Sequence, residues 1–146
     1  MYGDNYQSYG LFEAAPGSPG EISMLLSEGY WRDGESRQRR YTIRTDGFVS
    51  VNVPYSGGEV LTRPVVFSGS RFEINYSTSA AGSLRIELQN MDGQPLPGFS
   101  LADCPEVVGD SIHHVVRWKG GEDLSKFSRR PVRIRFVMSD GDLYSY

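Results

Sequence analysis

Along the middle and end of the chain, apolar and polar residues alternate with a period of two, which marks half-buried β-strands. Phe72, Ile74 and Tyr76 alternate with Arg71, Glu73 and Asn75, and Leu84, Ile86 and Leu88 alternate with Arg85, Glu87 and Gln89. The pattern predicts one strand over residues 71–77 and a second over residues 83–89. Further on, Ile112, His114, Val116 and Trp118 share one strand face. Val132, Ile134, Phe136 and Met138 share another, against Arg133, Arg135 and Val137. Pro131 opens this last strand, so the closing block from Gly109 to Tyr146 completes a sheet. Residues 122–127 between them are the one helical candidate, a turn or two long.

The first half carries shorter signals. Residues 21–27 (EISMLLS) are apolar enough for a buried strand, and residues 37–44 (RQRRYTIR) can return as its partner after the hairpin signal Asp33-Gly34. Asp46-Gly47 marks another tight turn. Phe48, Ser50 and Asn52 alternate with Val49, Val51 and Val53, which predicts a valine row on one face. Residues 54–59 read as a Gly-rich turn. Residues 61–67 read as a short strand broken by Pro64, hence an edge or a bulge. Asp92-Gly93 turns the chain again, and residues 95–108 form a long irregular connection. Residues 1–20, rich in Tyr, Gly, Ser and Pro, read as a loop or tail.

About eight or nine strands at this spacing predict an all-β, antiparallel β-sandwich, jelly-roll-like, with an N-terminal hairpin. The expected organisation is a tail at 1–20, a β-hairpin at 21–45 packed on the sandwich, and the β-sandwich domain at 46–146. A length of 146 residues suits a domain of ordinary size with its own core. The 17 Gly and 8 Pro fit many short segments. A net charge of −3 argues against a nucleic-acid partner, which calls for a basic field. The lone Cys104 offers neither an internal disulfide nor a cysteine zinc site. No stretch reaches the roughly 20 apolar residues of a membrane span, so no membrane partner is expected. The N-terminal residues lack the basic and apolar regions of a secretory signal. The chain is then either cytoplasmic or part of a longer parent that carries an export signal.

Three phrases carry a family resemblance: TDGFVSVNVPYSGGEVLTRPVVFSG, FEINYSTSAAGSLRIELQNMDGQPLPGFSLADC and GDSIHHVVRWKGGEDLSKFSRRPVRIRFVMSDGDLYSY. Together they resemble the C-terminal β-sandwich of bacterial glycosidase-like proteins, relatives of the five-bladed β-propeller, invertase-like and arabinanase-like enzymes. The match covers residues 22–146. EISMLLSEGYWRDGESRQRRYTIRTDGFVSV looks like the outgoing strands of a last propeller blade running into the sandwich. The resemblance implies a carbohydrate context, an extracellular or periplasmic setting and a propeller catalytic domain as a partner. It supplies no active site, because the propeller that would hold the catalytic carboxylates is not in this sequence.

The residues themselves are consistent with a non-enzyme. Glycoside hydrolysis needs two carboxylates across a cleft. Glu28, Asp33 and Glu35 fall near one hairpin and Asp103, Glu106 and Asp110 in the long connection, and spacing pairs none of them. No cofactor is expected. Calcium is the one metal with candidates (Asp103, Asp110, Asp140, Asp142), none at EF-hand spacing. His113 and His114 point to opposite strand faces, so they do not share a metal, and His114 reads as packed. No GxSxG elbow is present, and Gly57-Gly58 is a turn. The best binding signal is aromatic and basic: Tyr30 and Trp31 at the hairpin turn, Arg39 and Arg40 beside them with Arg32 and Arg37, and Tyr55 in the Gly-rich turn. Ring faces stack on pyranose C–H groups, and an arginine rim suits a sulfated or uronic polysaccharide. The competing reading makes Trp31 and Tyr41 interface packing. Trp118 reads as core. The sequence therefore points to a non-catalytic accessory module of a glycosidase-like protein that binds a polysaccharide or oligosaccharide. The alternatives are a structural module that associates with copies of itself and, last, an autonomous glycoside hydrolase.

Overall fold

The structure, a computed structural model, describes residues 5–13, 20–30, 34 and 36–146. It is all-β and antiparallel, with no barrel, consistent with the sandwich class read from the sequence. The strands are β1 (Tyr6–Glu13), β2 (Glu21–Glu28), β3 (Arg37–Arg44), β4 (Val51–Val53), β5 (Gly58–Leu61), β6 (Glu73–Gln89), β7 (Asp110–Val115) and β8 (Arg133–Ser145). They form two compact units, Met1–Phe48 and Val49–Tyr146.

The first unit is a three-stranded sheet in the order β1-β2-β3. The two strands of the expected hairpin are β2 and β3, paired without a break from Glu21↔Arg44 to Glu28↔Arg37. Asp33 of the predicted turn lies outside the described residues. The tail expected over residues 1–20 is corrected by β1, which pairs with β2. Its Tyr and Phe residues favour strands. Register shifts between Gln7 and Tyr9 and between Tyr9 and Phe12 take up the residues that break its alternation.

In the second unit β8 is central. β6 runs along one side of it, with β7 beyond, and β4 and β5 occupy its other side end to end. The two strands predicted at 71–77 and 83–89 are one strand of 17 residues. Small residues lie between them at 79–82, and β8 passes alongside so that the ladder resumes. From Thr78↔Gly141 to Ser83↔Ser139, five steps along β6 match two along β8, a wide bulge. Two glycines permit it. A Cβ on Gly82 would run into the Asp140 carbonyl oxygen, and one on Gly141 would lie 2.8 Å from that of Ser77.

Other expectations shift in detail. Only Val51–Val53 pairs, so the valine row is buried at Val53 (6% exposed) and open at Val49 (77%). At the sheet edge only the last valine reaches the core. The strand expected at 61–67 ends at Leu61, and past Pro64 only Val65 pairs, with Val132. The helical candidate is a 3₁₀ turn over Ser125–Phe127.

Among the described residues the apolar core lies wholly in the second unit. Ile74, Leu84, Ile86 and Leu88 of β6 and Ile134, Phe136 and Met138 of β8 form one buried cluster with Phe99, Val107, Val116, Trp118 and Leu124. The period-2 pattern thus predicted the inward faces of both long strands. Trp118 is core, and its indole Nε1 donates to the Ile86 carbonyl at 2.8 Å. Phe99 brings its ring within 5.5 Å of Trp118 and 5.2 Å of Phe127.

Candidate functional site

Among the described hairpin candidates, Arg39 and Arg40 do not share a face of the sheet. Antiparallel pairing puts Met24, Leu26 and Glu28 on one face with Tyr41, Arg39 and Arg37, and Ser23, Leu25 and Ser27 on the other with Thr42, Arg40 and Gln38. Arg39 and Arg40 therefore point to opposite faces. Arg39 lies 3.2 Å from Glu28, which also takes the Arg37 Nε at 2.6 Å and the Tyr41 hydroxyl. Those hydrogen bonds, Tyr41 first, hold the Glu28 carboxyl below its usual range. Arg40 donates to Ser23 at 2.9 Å. Tyr30 is exposed, with its ring 5.4 Å from that of Tyr6. Trp31 and Arg32 lie outside the described residues. Tyr55 belongs to the second unit, exposed on the turn between β4 and β5.

A different place in the second unit has the geometry of a binding site. Past β5, Val65 pairs with Val132, the Arg129 amide donates to the Phe67 carbonyl at 2.8 Å, and the Leu124 amide donates to Ser70 at 2.8 Å. These bonds frame an open cleft of about 360 Å³. Its floor is apolar and buried: Leu88, Leu124, Val132 and Ile134. Aromatic walls rise from it as half-buried Phe67 and Phe72 and exposed Tyr146. The Tyr146 ring leans on Phe136 at 5.3 Å and on Phe72 at 6.2 Å. Arg71 and Glu73 supply the rim, and Glu73 lies 3.7 Å from His113 Nδ1. The size is that of a small-molecule pocket, and the chemistry is that of one apolar ring with polar edges.

A second, more polar groove of about 480 Å³ lies between residues 105–108 and β7. Tyr76 donates to the Val108 carbonyl at 3.1 Å, and the half-buried His114 stands edge-on to its ring at 5.5 Å. Burial, then the nearby Arg117, lowers the pKa of His114, while burial and Asp110 raise that of Tyr76. The packed His114 and the exposed His113 match the opposite-face reading. The charges around this groove are paired: Arg117 with Glu122 at 2.7 Å and Arg85 with Glu106 at 3.2 Å.

The acids named as calcium candidates are engaged elsewhere or scattered. Asp103 accepts from the Ser100 hydroxyl at 2.6 Å, and Asp142 accepts from Ser50 at 2.6 Å. Asp140 sits in the left-handed region (φ 45°) at the bulge. Among the described residues no group of three or more His, Cys, Asp or Glu is placed to hold a metal ion. Burial raises the pKa of the Cys104 thiol. No described helix is long and apolar enough to cross a membrane.

Comparison with protein families, with curated sequences and with solved structures finds no match to this chain. The cleft was not legible from the sequence. Phe72 and Tyr146 are 74 residues apart (146 − 72), and only the pairing of β6 with β8 brings them together. Its one local signal is the acid-free, arginine-bounded stretch RPVVFSGSR at 63–71.

Proposed function

We propose that this chain is a non-catalytic accessory β-sandwich module of a glycosidase-like protein, and that it binds carbohydrate in the aromatic cleft of the second unit. The convergence of Phe67, Phe72 and Tyr146 over an apolar floor carries this reading. A pyranose presents C–H faces that stack on such rings, while its hydroxyls meet Arg71 and Glu73 at the rim. Among the described residues Glu73 is the one acidic side chain lining the cleft, whereas glycosidases use two facing acids. The setting that goes with this role is extracellular or periplasmic.

Calorimetry against a panel of soluble polysaccharides tests the reading. Tyr146 is 56% exposed, so Tyr146→Ala should weaken binding about tenfold or more, in line with roughly 1–3 kcal/mol for a stacked ring, with little change in melting temperature. Undiminished binding would move the ligand out of the cleft. The double variant Tyr30→Ala, Trp31→Ala would then decide whether the hairpin holds it.

One observation favours a structural or self-associating role for the first unit. Its buried described residues, Ser23, Ser27 and Glu28, are all polar, while Tyr6, Tyr9, Leu11 and Tyr30 are exposed. A thin sheet of this kind, with β1 and β3 at its edges, gains by pairing or packing with another surface. That surface is either a propeller catalytic domain or a second copy of the chain. Light scattering separates the two: a mass well above 16.3 kDa supports copies, and a clean monomer at high concentration removes them.

A further inference from the structure

The arginines of the second unit fall into two groups. Arg85, Arg117 and Arg135 each hold a carboxylate, at 3.2, 2.7 and 2.6 Å. Arg63, Arg71, Arg129, Arg130 and Arg133 have no acid within 4.0 Å among the described residues. These five lie in two stretches, RPVVFSGSR (63–71) and RRPVR (129–133), neither of which contains an acid. The same two stretches build the cleft. The Val65–Val132 pair joins them, the Arg129 amide reaches Phe67, and the Arg133 Nε reaches the Thr62 carbonyl at 3.5 Å.

The imbalance is local, because the whole chain carries −3. Elsewhere in this unit the fold gives each arginine a carboxylate. In the two stretches that frame the cleft it leaves the arginines without a carboxylate, four exposed and Arg133 half-buried, and of the five Arg71 lines the cleft itself, beside Glu73. Five such guanidinium groups in the flanking stretches bring a positive field to the mouth of the cleft, beyond what Arg71 and Glu73 of its lining set between them. Guanidinium groups bind carboxylate and sulfate bidentately, which neutral hydroxyls cannot match.

We infer that the cleft selects a saccharide bearing carboxylate or sulfate groups. This rests on the carbohydrate reading above and names the class of ligand within it. The aromatic walls take the ring face, Arg71 takes the anion, and the flanking arginines add longer-range attraction. The overall acidic charge disfavours a nucleic acid, whose binders neutralise many phosphates at once.

The test uses matched ligands on the full chain: polygalacturonate against its methyl ester, dextran sulfate against dextran, and a single-stranded oligonucleotide. At least one acidic partner should bind tenfold or more tightly than its neutral counterpart. The identity of that partner distinguishes carboxylate from sulfate. Its affinity should fall steeply from 50 to 500 mM NaCl, since screening shortens to a few ångströms. Arg71→Gln with Arg130→Gln should cut binding of the acidic ligand about tenfold more than that of its neutral counterpart. If those variants misfold, the matched-ligand ratio and salt slope on the native chain still decide. Equal, salt-independent binding of acidic and neutral partners overturns the charge selection and leaves the carbohydrate reading standing. Failure of every saccharide to bind overturns both, as does binding of the oligonucleotide alone.

Discussion

Glu28 is the electrostatic centre of the first unit. Its carboxylate is largely shielded and takes Tyr41, Arg37 and Arg39 together. Because the fold lowers its pKa below 4.5, its contribution is complete above that value and is lost as pH falls through the folded value. Glu28→Gln should therefore speed amide exchange in β3 at pH 7, and the difference from the native chain should shrink as the pH falls through the folded value and the native carboxyl itself takes up a proton. An unchanged exchange profile at pH 7 would remove the carboxylate from this role. His114 has the same sign from a different cause. Burial against Tyr76, with Arg117 nearby, lowers its pKa below 6.5. The folded state resists its protonation, so stability is complete above 6.5 and declines as the pH drops below it towards the folded value. Tyr76, Glu106, His113 and Arg117 line the same groove, with Asp110 near Tyr76 and Glu73 beside His113. A series of thermal melts from pH 7.5 to 5 should show this decline, and His114→Gln should flatten it.

The long strand β6 decides the second unit. It touches β7 on one side and nearly the whole of β8 on the other. Its bulge works because Gly82 and Gly141 let two backbones approach more closely than a Cβ allows. Gly82→Ala should destabilise the protein by about 1–3 kcal/mol, the usual range for forcing atoms into a packed site, as read by denaturant midpoint. A midpoint unchanged within error would mean that the bulge relaxes freely. The same strand carries Glu87, buried and bonded to Gln89 and the Leu101 amide, with Arg135 3.7 Å away. Arg135 reaches on to Glu59 of β5 at 2.6 Å. Three strands are thereby tied through one guanidinium.

At the scale of the molecule, apolar burial is unevenly shared. The buried apolar cluster runs from Val53 to Leu143, entirely within Val49–Tyr146. That unit should fold alone: a fragment of residues 49–146 should unfold cooperatively, with the heat-capacity change expected for its length. Within it Phe136, fully buried at the centre of β8, should cost about 3–5 kcal/mol on replacement by Ala. Non-cooperative melting of the fragment would show that the core needs the first 48 residues.

By itself the sequence determined the strands whose faces differ. Alternation along residues 72–76, 84–88 and 132–138 is imposed by which side chains water excludes, and the buried faces of β6 and β8 follow it. It also marked Trp118 and Phe136 as core, because their neighbours on the same face are apolar. What it could not contain is pairing between distant segments. The continuity of β6 across its small residues depends on β8 running beside it. The strand at Tyr6–Glu13 depends on a free edge of β2. The engagement of Arg37 with Glu28 follows from register. The cleft exists only because Val65 meets Val132 while Phe72 meets Tyr146. Hydrophobic periodicity is a local property of the chain, whereas the cleft and its unpaired arginines are set by long-range hydrogen bonds, and these only the tertiary structure decided.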